Sequence, residues 1–559
     1  MGFLFGVLLS FFCISASASS WHFSNGPEFP GAAGEISYQS SAIRLSYDFR
    51  KGGRYVAMTK ALTGSPRAIG YRVKSPAGIR VKLRVVDSTG QTLQYDVNRP
   101  IEARDPEAWY RVVVDLTRST FHFYGANDGV VHFPLKSLSF LAADAMEAGA
   151  RGEVLFDGIE AYDSLASKLD LRAQNFIPLP EGALDLGSRL GVQVHFTEDD
   201  RSLDLMKTTG MRNIRMDITW QNAEKEKGVY DFSAHDRLLA SLEERGFRPL
   251  FIFDYFNTLY PGSSDPGYET ETIPAFARFA AAAARHFAGH PVSYEVFNEP
   301  NGSWFWPQPD ARLFARLCAA TTLAVKGEDP SAKVVTGGIF QFDVPYLKTF
   351  LKNGGAVGAD AVGVHPYREW GAETITDEVL HMRKLVSEAA PQAELWQTEW
   401  GFPSTWYGHG HSEAAREKAA RLDLREVLVT WGLGFPLMIL YDDRDDGTNP
   451  ADKEHNFGLI ANDYAPKAAL RVFQQLGRVT EERKLTGFFA MEPSTLHAMK
   501  LDGKAGMALI LWSDAAKSRT SIAIPAGAVA YDMFGWRLPV SRGILEIREE
   551  AGPVYLEFR

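Results

Sequence analysis

The sequence predicts a multidomain chain, with a central eight-fold strand–helix barrel, (β/α)8, between an N-terminal β-sandwich and a smaller C-terminal β-domain. Three observations carry this. From residue 187 to 477, short apolar runs alternate with longer segments whose apolar residues recur every 3.6 positions. Before and after that region apolar residues alternate with period two, punctuated by Gly, Pro, Asn and Asp. The chain has 559 residues, more than one hydrophobic core ordinarily serves.

The N-terminus carries an apolar stretch from Phe3 to Ile14, followed by Ala16-Ser17-Ala18. A short apolar run before a small-x-small site reads as a secretory signal peptide, residues 1–18. It is too short to span a bilayer comfortably. The expectation is therefore an exported protein, periplasmic or extracellular, with no membrane span in the mature chain. Cys318 is then the single remaining cysteine. It sits in an apolar helical run and reads as a buried thiol, so an internal disulfide is excluded.

Residues 19–165 predict the sandwich. In "IRVKLRVVD", Ile79, Val81, Leu83 and Val85 alternate with Arg80, Lys82 and Arg84, the pattern of a strand with one buried face. Residues 166–186 read as a linker. The barrel, 187–477, offers eight strand candidates: "GVQVHF", "NIRMDITW", "RPLFIFDYF", "SYEVFNEP", "KVVTGGI", "AVGVHPY", "ELWQTEWG" and "PLMILYDD". A doubly wound sheet is the alternative. It requires a Gly-rich phosphate loop after the first strand, and "GVQVHFTEDD" has none. Residues 478–559 return to short alternating strands.

Composition narrows the function. Hydrophobic residues make up 45% and charged residues 23%, as in folded globular chains. A formal net charge of −10 argues against nucleic acid or an anionic membrane as partner.

In a barrel of this kind the chemistry sits where strands end. The fourth strand ends in Asn298-Glu299-Pro300 and the seventh in Thr398-Glu399-Trp400. The separation, 399 − 299 = 100 residues, spans three strand-to-strand steps, so both carboxylates reach one mouth. Two carboxylates in a cleft suit glycosidic bond cleavage, one protonating the leaving oxygen, the other attacking carbon or activating water. The competing reading is a pair of rim salt bridges. Asp254, Asn257 and Asp443 are candidate substrate hydrogen-bonders or loop caps. Trp304, Trp306, Trp400 and Trp406 are candidate sugar platforms, with core packing as the alternative, strongest for Trp400. Arg215 and Asp217 point the same way on the second strand, so a mutual ion pair is possible for them.

"FNEPN" followed by "FW", with "TEWGF" on the seventh strand, resembles the large clan of retaining glycoside hydrolases. The closest resemblance is to family 39, and "YDDRDDGTNPADKEHNFGLIANDYAPK" is similar to bacterial exopolysaccharide-cluster hydrolases of the Psl type. The resemblance covers roughly residues 190–476 and implies the barrel fold. It implies Glu299 as general acid/base and Glu399 as nucleophile. It further implies Asn298 on the sugar 2-hydroxyl, Arg215 beside the nucleophile, Tyr367 donating to it, and His365 lining the site. Tyr441 stands where many members have Trp. The expected partner is an oligo- or polysaccharide, without cofactor or metal. The acidic run fails the calcium-loop pattern, since Arg444 and Lys453 fall where oxygen ligands are needed. Transglycosylation on the same site, or a non-catalytic carbohydrate-binding or scaffold protein, are the other function classes. The N-terminal sandwich looks like the jelly-roll carbohydrate-binding modules, which would let it bind glycan, brace the barrel, or do both.

Overall fold

The computed structural model describes residues 11–13, 21–165, 169–260 and 272–558. The expected cleavage site after Ala18 lies outside them. All eight expected strands form and close a parallel barrel: β1 (Leu190–Gln193), β2 (Asn213–Thr219), β3 (Arg248–Asp254), β4 (Ser293–Asn298), β5 (Lys333–Phe340), β6 (Ala361–His365), β7 (Glu394–Trp400) and β8 (Met438–Leu440). Closure runs through β8 and β1, with Leu190 opposite Met438. These strands are largely apolar because helices cover the outside and side chains fill the inside.

The helices have legible causes. Ser233–Arg245 buries Leu238, Leu239 and Leu242 on one stripe and stops at Gly246, whose φ of 77° suits a residue without Cβ. Ala311–Glu328 starts where the Asp310 side chain accepts from the backbone N–H groups of Arg312 and Leu313. The helix Glu413–Gly432 is buried on nearly all sides. It is sandwiched between the barrel and the C-terminal domain, where Arg425 reaches Glu549 at 3.1 Å.

The N-terminal residues form two antiparallel sheets. Leu45, Tyr71, Val73 and Phe156 from one interdigitate with Leu83 and Phe140 from the other. This sandwich is fastened to the barrel by polar contacts: Arg99 to Asp377 at 2.6 Å, Glu147 to His381 at 3.0 Å and Arg80 to Glu378 at 3.3 Å.

The C-terminal domain holds a six-stranded sheet and a two-stranded ribbon. Its edge strand comes from the segment expected to be a linker. Phe176–Pro178 pairs antiparallel with the strand Arg483–Phe489, and Leu169 joins the domain's core. Apolar residues in "NFIPL" gain a core there, and Pro178 is tolerated because the strand lies at the edge. Among the described residues no helix is long and apolar enough to cross a membrane.

Candidate active site

A cleft of about 1420 Å3 opens at the C-terminal ends of the barrel strands. Its floor is organised around one side chain. Arg215, on β2, is 1% exposed and uses its guanidinium fork in four directions. Nε donates to Glu295 Oε2 at 2.7 Å, Nη1 to Glu399 Oε2 at 2.7 Å and to Gln193 Oε1 at 3.0 Å, and Nη2 to Asn298 Oδ1 at 2.9 Å. A planar, permanently charged donor suits such a hub. Arg215 therefore pairs with two glutamates on β4 and β7, and the Arg215–Asp217 ion pair does not form among the described residues.

Glu295 is the residue the sequence reading passed over. It lies in the apolar run of β4, fully buried, and accepts from Arg215, from Thr398 Oγ1 at 2.8 Å and from the Gly338 N–H at 3.0 Å. A buried carboxylate needs that many donors to be tolerated. Its signal was available: a carboxylate inside the apolar run of a barrel strand needs a partner.

Glu299 leaves the strand through strained backbone. Phe297 has φ 70° and Glu299 φ 43°, a left-handed region that costs non-glycine residues about 1–3 kcal/mol. Such strain persists where the surroundings impose it. Here His365 Nδ1 lies 2.9 Å from Glu299 Oε1, and Trp304 Nε1 donates to Oε2 at 2.7 Å. The turn brings Glu299 towards Glu399. One oxygen of each carboxylate and a ring nitrogen of His365 all lie within 4.8 Å of one another.

Glu399 is held as the anion. Burial pushes its carboxyl up, but the charges of His365 and Arg215, with hydrogen bonds from Tyr367 and Arg215, outweigh it and hold the pKa below the ordinary glutamate value. Tyr367 donates to Glu399 Oε1 at 2.8 Å. Burial, then the adjacent Glu399 charge, pushes the Tyr367 phenol far up, so it stays a donor.

His195 and Asp446 line the same cleft, paired at 2.8 Å. Burial pulls the imidazole down, yet the hydrogen bond to Asp446 and the charges of Asp442, Asp446 and Asp217 raise it to about 9. His195 is therefore an imidazolium at neutral pH. His195, Asp442 and Asp446 have donor atoms close enough to hold an ion, as do Glu299, His365 and Glu399. The second group is already satisfied by Arg215, Tyr367 and Trp304.

No family model and no curated protein matches the sequence. Solved structures do match its shape. A family 39 glycoside hydrolase from Bacteroides cellulosilyticus superposes with a TM-score of 0.57 at 19% identity, covering 87% of this chain and 96% of that one. A monomeric β-xylosidase from Caulobacter crescentus gives 0.52 at 15% identity, covering 70% and 99%. A family 39 enzyme from Xanthomonas axonopodis gives 0.50 at 18%, covering 70% and 96%. The chain has the fold of family 39 glycoside hydrolases.

Within this family 39 fold, the expected residues divide into two sets. Glu299, Glu399, Asn298, Arg215, Tyr367, Tyr441, Trp304 and Trp406 all line the cleft. His365 lies directly behind, fully buried against Glu299. Five expected sugar contacts lie elsewhere. Trp306 is buried against Phe297 and Phe314, and Trp400 against Phe402, so both serve as core. Asn257 is buried, donating to the carbonyls of Trp220 and Glu224 and accepting from the Leu259 N–H, which makes it a loop cap. Asp254 is fully buried with neither oxygen hydrogen-bonded, and burial, then Asp217, drives its pKa far up. A neutral acid packed beneath the floor fits this environment. Asp443 is likewise structural, bonded to Ser202.

The acidic run after β8 splits the same way. Asp445 pairs with Lys467 in the interior at 2.6 Å. Asp446, Lys453 and Glu454 reach the cleft. Sequence reasoning missed the cleft residues Gln193, Phe340, Arg368 and Trp370, which come from strand ends and loops with no motif of their own. It also missed Arg80, which arrives from the N-terminal sandwich.

Proposed function

We propose that the protein is an exported retaining glycoside hydrolase that cleaves an oligo- or polysaccharide by double displacement. The carrying observation is the asymmetric pair at the barrel mouth. An oxygen of Glu299 and one of Glu399 lie within 4.8 Å. Direct attack by the second carboxylate requires the carboxyl groups about 5–5.5 Å apart, whereas an intervening water needs about 6.5–9.5 Å.

The two partners differ in the way the chemistry requires. Glu399, between Arg215 and Tyr367, is kept ionised and acts as nucleophile on the anomeric carbon. Glu299, with the ring N–H of Trp304 on one oxygen and His365 on the other, delivers its proton to the leaving oxygen. In the second half it accepts a proton from water, which releases the sugar and regenerates Glu399. Asn298, its carbonyl oxygen fixed by Arg215, offers its amide to the neighbouring sugar hydroxyl. Trp304 and Trp406 line the cleft, which supports reading their ring faces as platforms for sugar C–H faces. The chemistry calls for no cofactor or metal. A bacterial exopolysaccharide is the substrate class that the sequence resemblance favours.

The test is reducing-end release from a panel of polysaccharides and aryl glycosides by wild type, Glu299→Gln and Glu399→Gln. Activity on a substrate, lost in both variants, is expected. Activity that survives Glu399→Gln would overturn the nucleophile assignment. Products longer than the starting oligosaccharide would favour glycosyl transfer over hydrolysis.

A further inference from the structure

The N-terminal sandwich contributes to the catalytic cleft. Its strand Arg80–Val86 places Arg80 in the cleft lining, beside Arg368 and Glu378. The same strand leads away from the cleft along one exposed face. Arg80, Lys82 and Arg84 alternate with the core residues Val81, Leu83 and Val85, so all three point outwards. Arg80 and Lys82 line a small crevice at the junction with the barrel. Lys82 and Arg84 line a further groove of about 480 Å3 on the outer face of the sandwich. Cleft, crevice and groove thus share residues of one strand in sequence. Four residues of strand, about 13 Å, separate Arg80 from Arg84.

The groove is built unlike an ordinary solvated sheet face. Its floor is a separate apolar cluster of Tyr55, Ala57, Leu141 and Ala143, distinct from the sandwich core. Arg84 lies over the rings of Tyr55 and Phe123 at 4.8 and 5.6 Å. Its Nε donates to Gln94 at 2.8 Å. At the rim Phe121 and Tyr124 stand 58% and 74% exposed. Flat rings left in water beside fixed guanidinium donors present an apolar face and hydrogen-bond donors together, the combination that a sugar ring's C–H face and hydroxyls require. Much of the positive charge is offset, since Lys82 pairs with Asp96 and Asp144 and Arg80 with Glu378, and Glu28 lines the groove with Arg84. The path therefore reads hydroxyls and rings, not a polyanion.

We infer that the outer groove of the N-terminal sandwich is a second glycan site, which holds the distal units of the polysaccharide whose scissile bond lies in the cleft, with Arg80 at the junction. This rests on the hydrolase reading for the nature of the chain, but its test does not depend on turnover. The site sets a preference for long substrates, because short glycosides end before they reach it.

The variant is Phe121→Ala/Tyr124→Ala, which removes two exposed rings remote from Glu299 and Glu399. In the Glu399→Gln background, retardation in gels containing each polysaccharide of the panel is expected to weaken by roughly tenfold in affinity when both rings are removed. In the active enzyme, kcat/KM on the polymer is expected to fall by a similar factor through KM, with aryl glycosides unaffected. Loss of retardation in a protein that hydrolyses nothing would overturn the hydrolase reading and keep the glycan site. Equal retardation with and without the rings, or no retardation by any polysaccharide, would overturn the site. So would a dimer in sedimentation that dissociates on removal of the rings, since the face would then be a contact between copies of this chain.

Discussion

Two of the buried arginine–carboxylate clusters among the described residues differ in one respect: one lines the cleft and the other does not. At the barrel mouth Arg215 holds Glu295 and Glu399. On the outside of the barrel Arg425 holds Glu373 through two parallel bonds of 2.8 and 2.7 Å, and also reaches Glu549. Trp512 Nε1 donates to Glu373 at 2.8 Å, which ties the C-terminal sheet to the same cluster. Both arginines are nearly inaccessible, and charge pairing raises both above an already high pKa despite burial. Burial and charge therefore do not separate function from architecture. Access does. Glu399 lines the cleft beside Glu299, each of its oxygens taking one donor, Arg215 or Tyr367, whereas Glu373 lies outside the cleft with its oxygens shared between Arg425 and Trp512. On the proposed mechanism the first cluster prepares a reagent, while the second joins the barrel to the C-terminal domain.

That contrast is broken first at Glu399. Glu399→Gln is expected to lower kcat by roughly 10^5-fold while the thermal transition stays near that of wild type, because Arg215 keeps Glu295. Paired calorimetry and kinetics read both halves. The converse holds at the staple. Glu373→Gln leaves Arg425 in the interior with its main partner uncharged, and unfolding free energy is expected to fall by about 3–5 kcal/mol. Its kcat is expected to hold at temperatures where the variant is folded, as urea titration beside initial rates would show.

A smaller effect sharpens the mouth itself. Tyr367→Phe removes one hydrogen bond to an ionised oxygen, worth about 1.5–3 kcal/mol, so kcat/KM is expected to fall by roughly 10- to 100-fold. The sign with pH follows from what that bond favours. It stabilises the anion, and Glu399 has a depressed pKa in the folded protein. Activity dependent on the anion, and the stability that Glu399 contributes, are present above the unfolded glutamate value and lost as pH falls through the folded one. Removing the Tyr367 donor shifts the acidic limb of kcat/KM to higher pH, which a pH–rate series would detect.

The smallest expected effect is at His195. Its pKa is raised to about 9 in the folded state. The stability it contributes is complete below the ordinary histidine value of 6.5 and is lost as pH rises through about 9. Asp446→Asn removes a main cause of the raised value, and NMR titration of the ring is expected to show it moving down.

The barrel was legible because its signal is repeated. Eight short apolar runs between amphipathic helices leave few alternatives, and all eight form. Glu299 and Glu399 were legible because each interrupts an apolar run at a strand end, where burial of a charge needs a reason. Glu295 was obscured by lying inside such a run. Of the candidate sugar platforms, Trp400 packs as core, the alternative that was strongest for it, and so does Trp306, because a ring beside a strand end is placed by packing: Trp306 turns to Phe314 and Trp400 to Phe402. Arg80 and the strand Phe176–Pro178 depend on docking between domains, which no local pattern encodes. The linker reading failed for that reason, since an edge strand of three residues has no periodicity to read.

The central claim is that Glu399 attacks the sugar directly. Proton NMR of the first-formed product anomer, on whichever glycoside the enzyme turns over, tests it most directly. The approach of one oxygen of Glu299 to within 4.8 Å of one of Glu399 predicts the anomeric configuration of the substrate, seen before mutarotation. Initial release of the opposite anomer would mean that water, not Glu399, makes the attack, and would contradict the account.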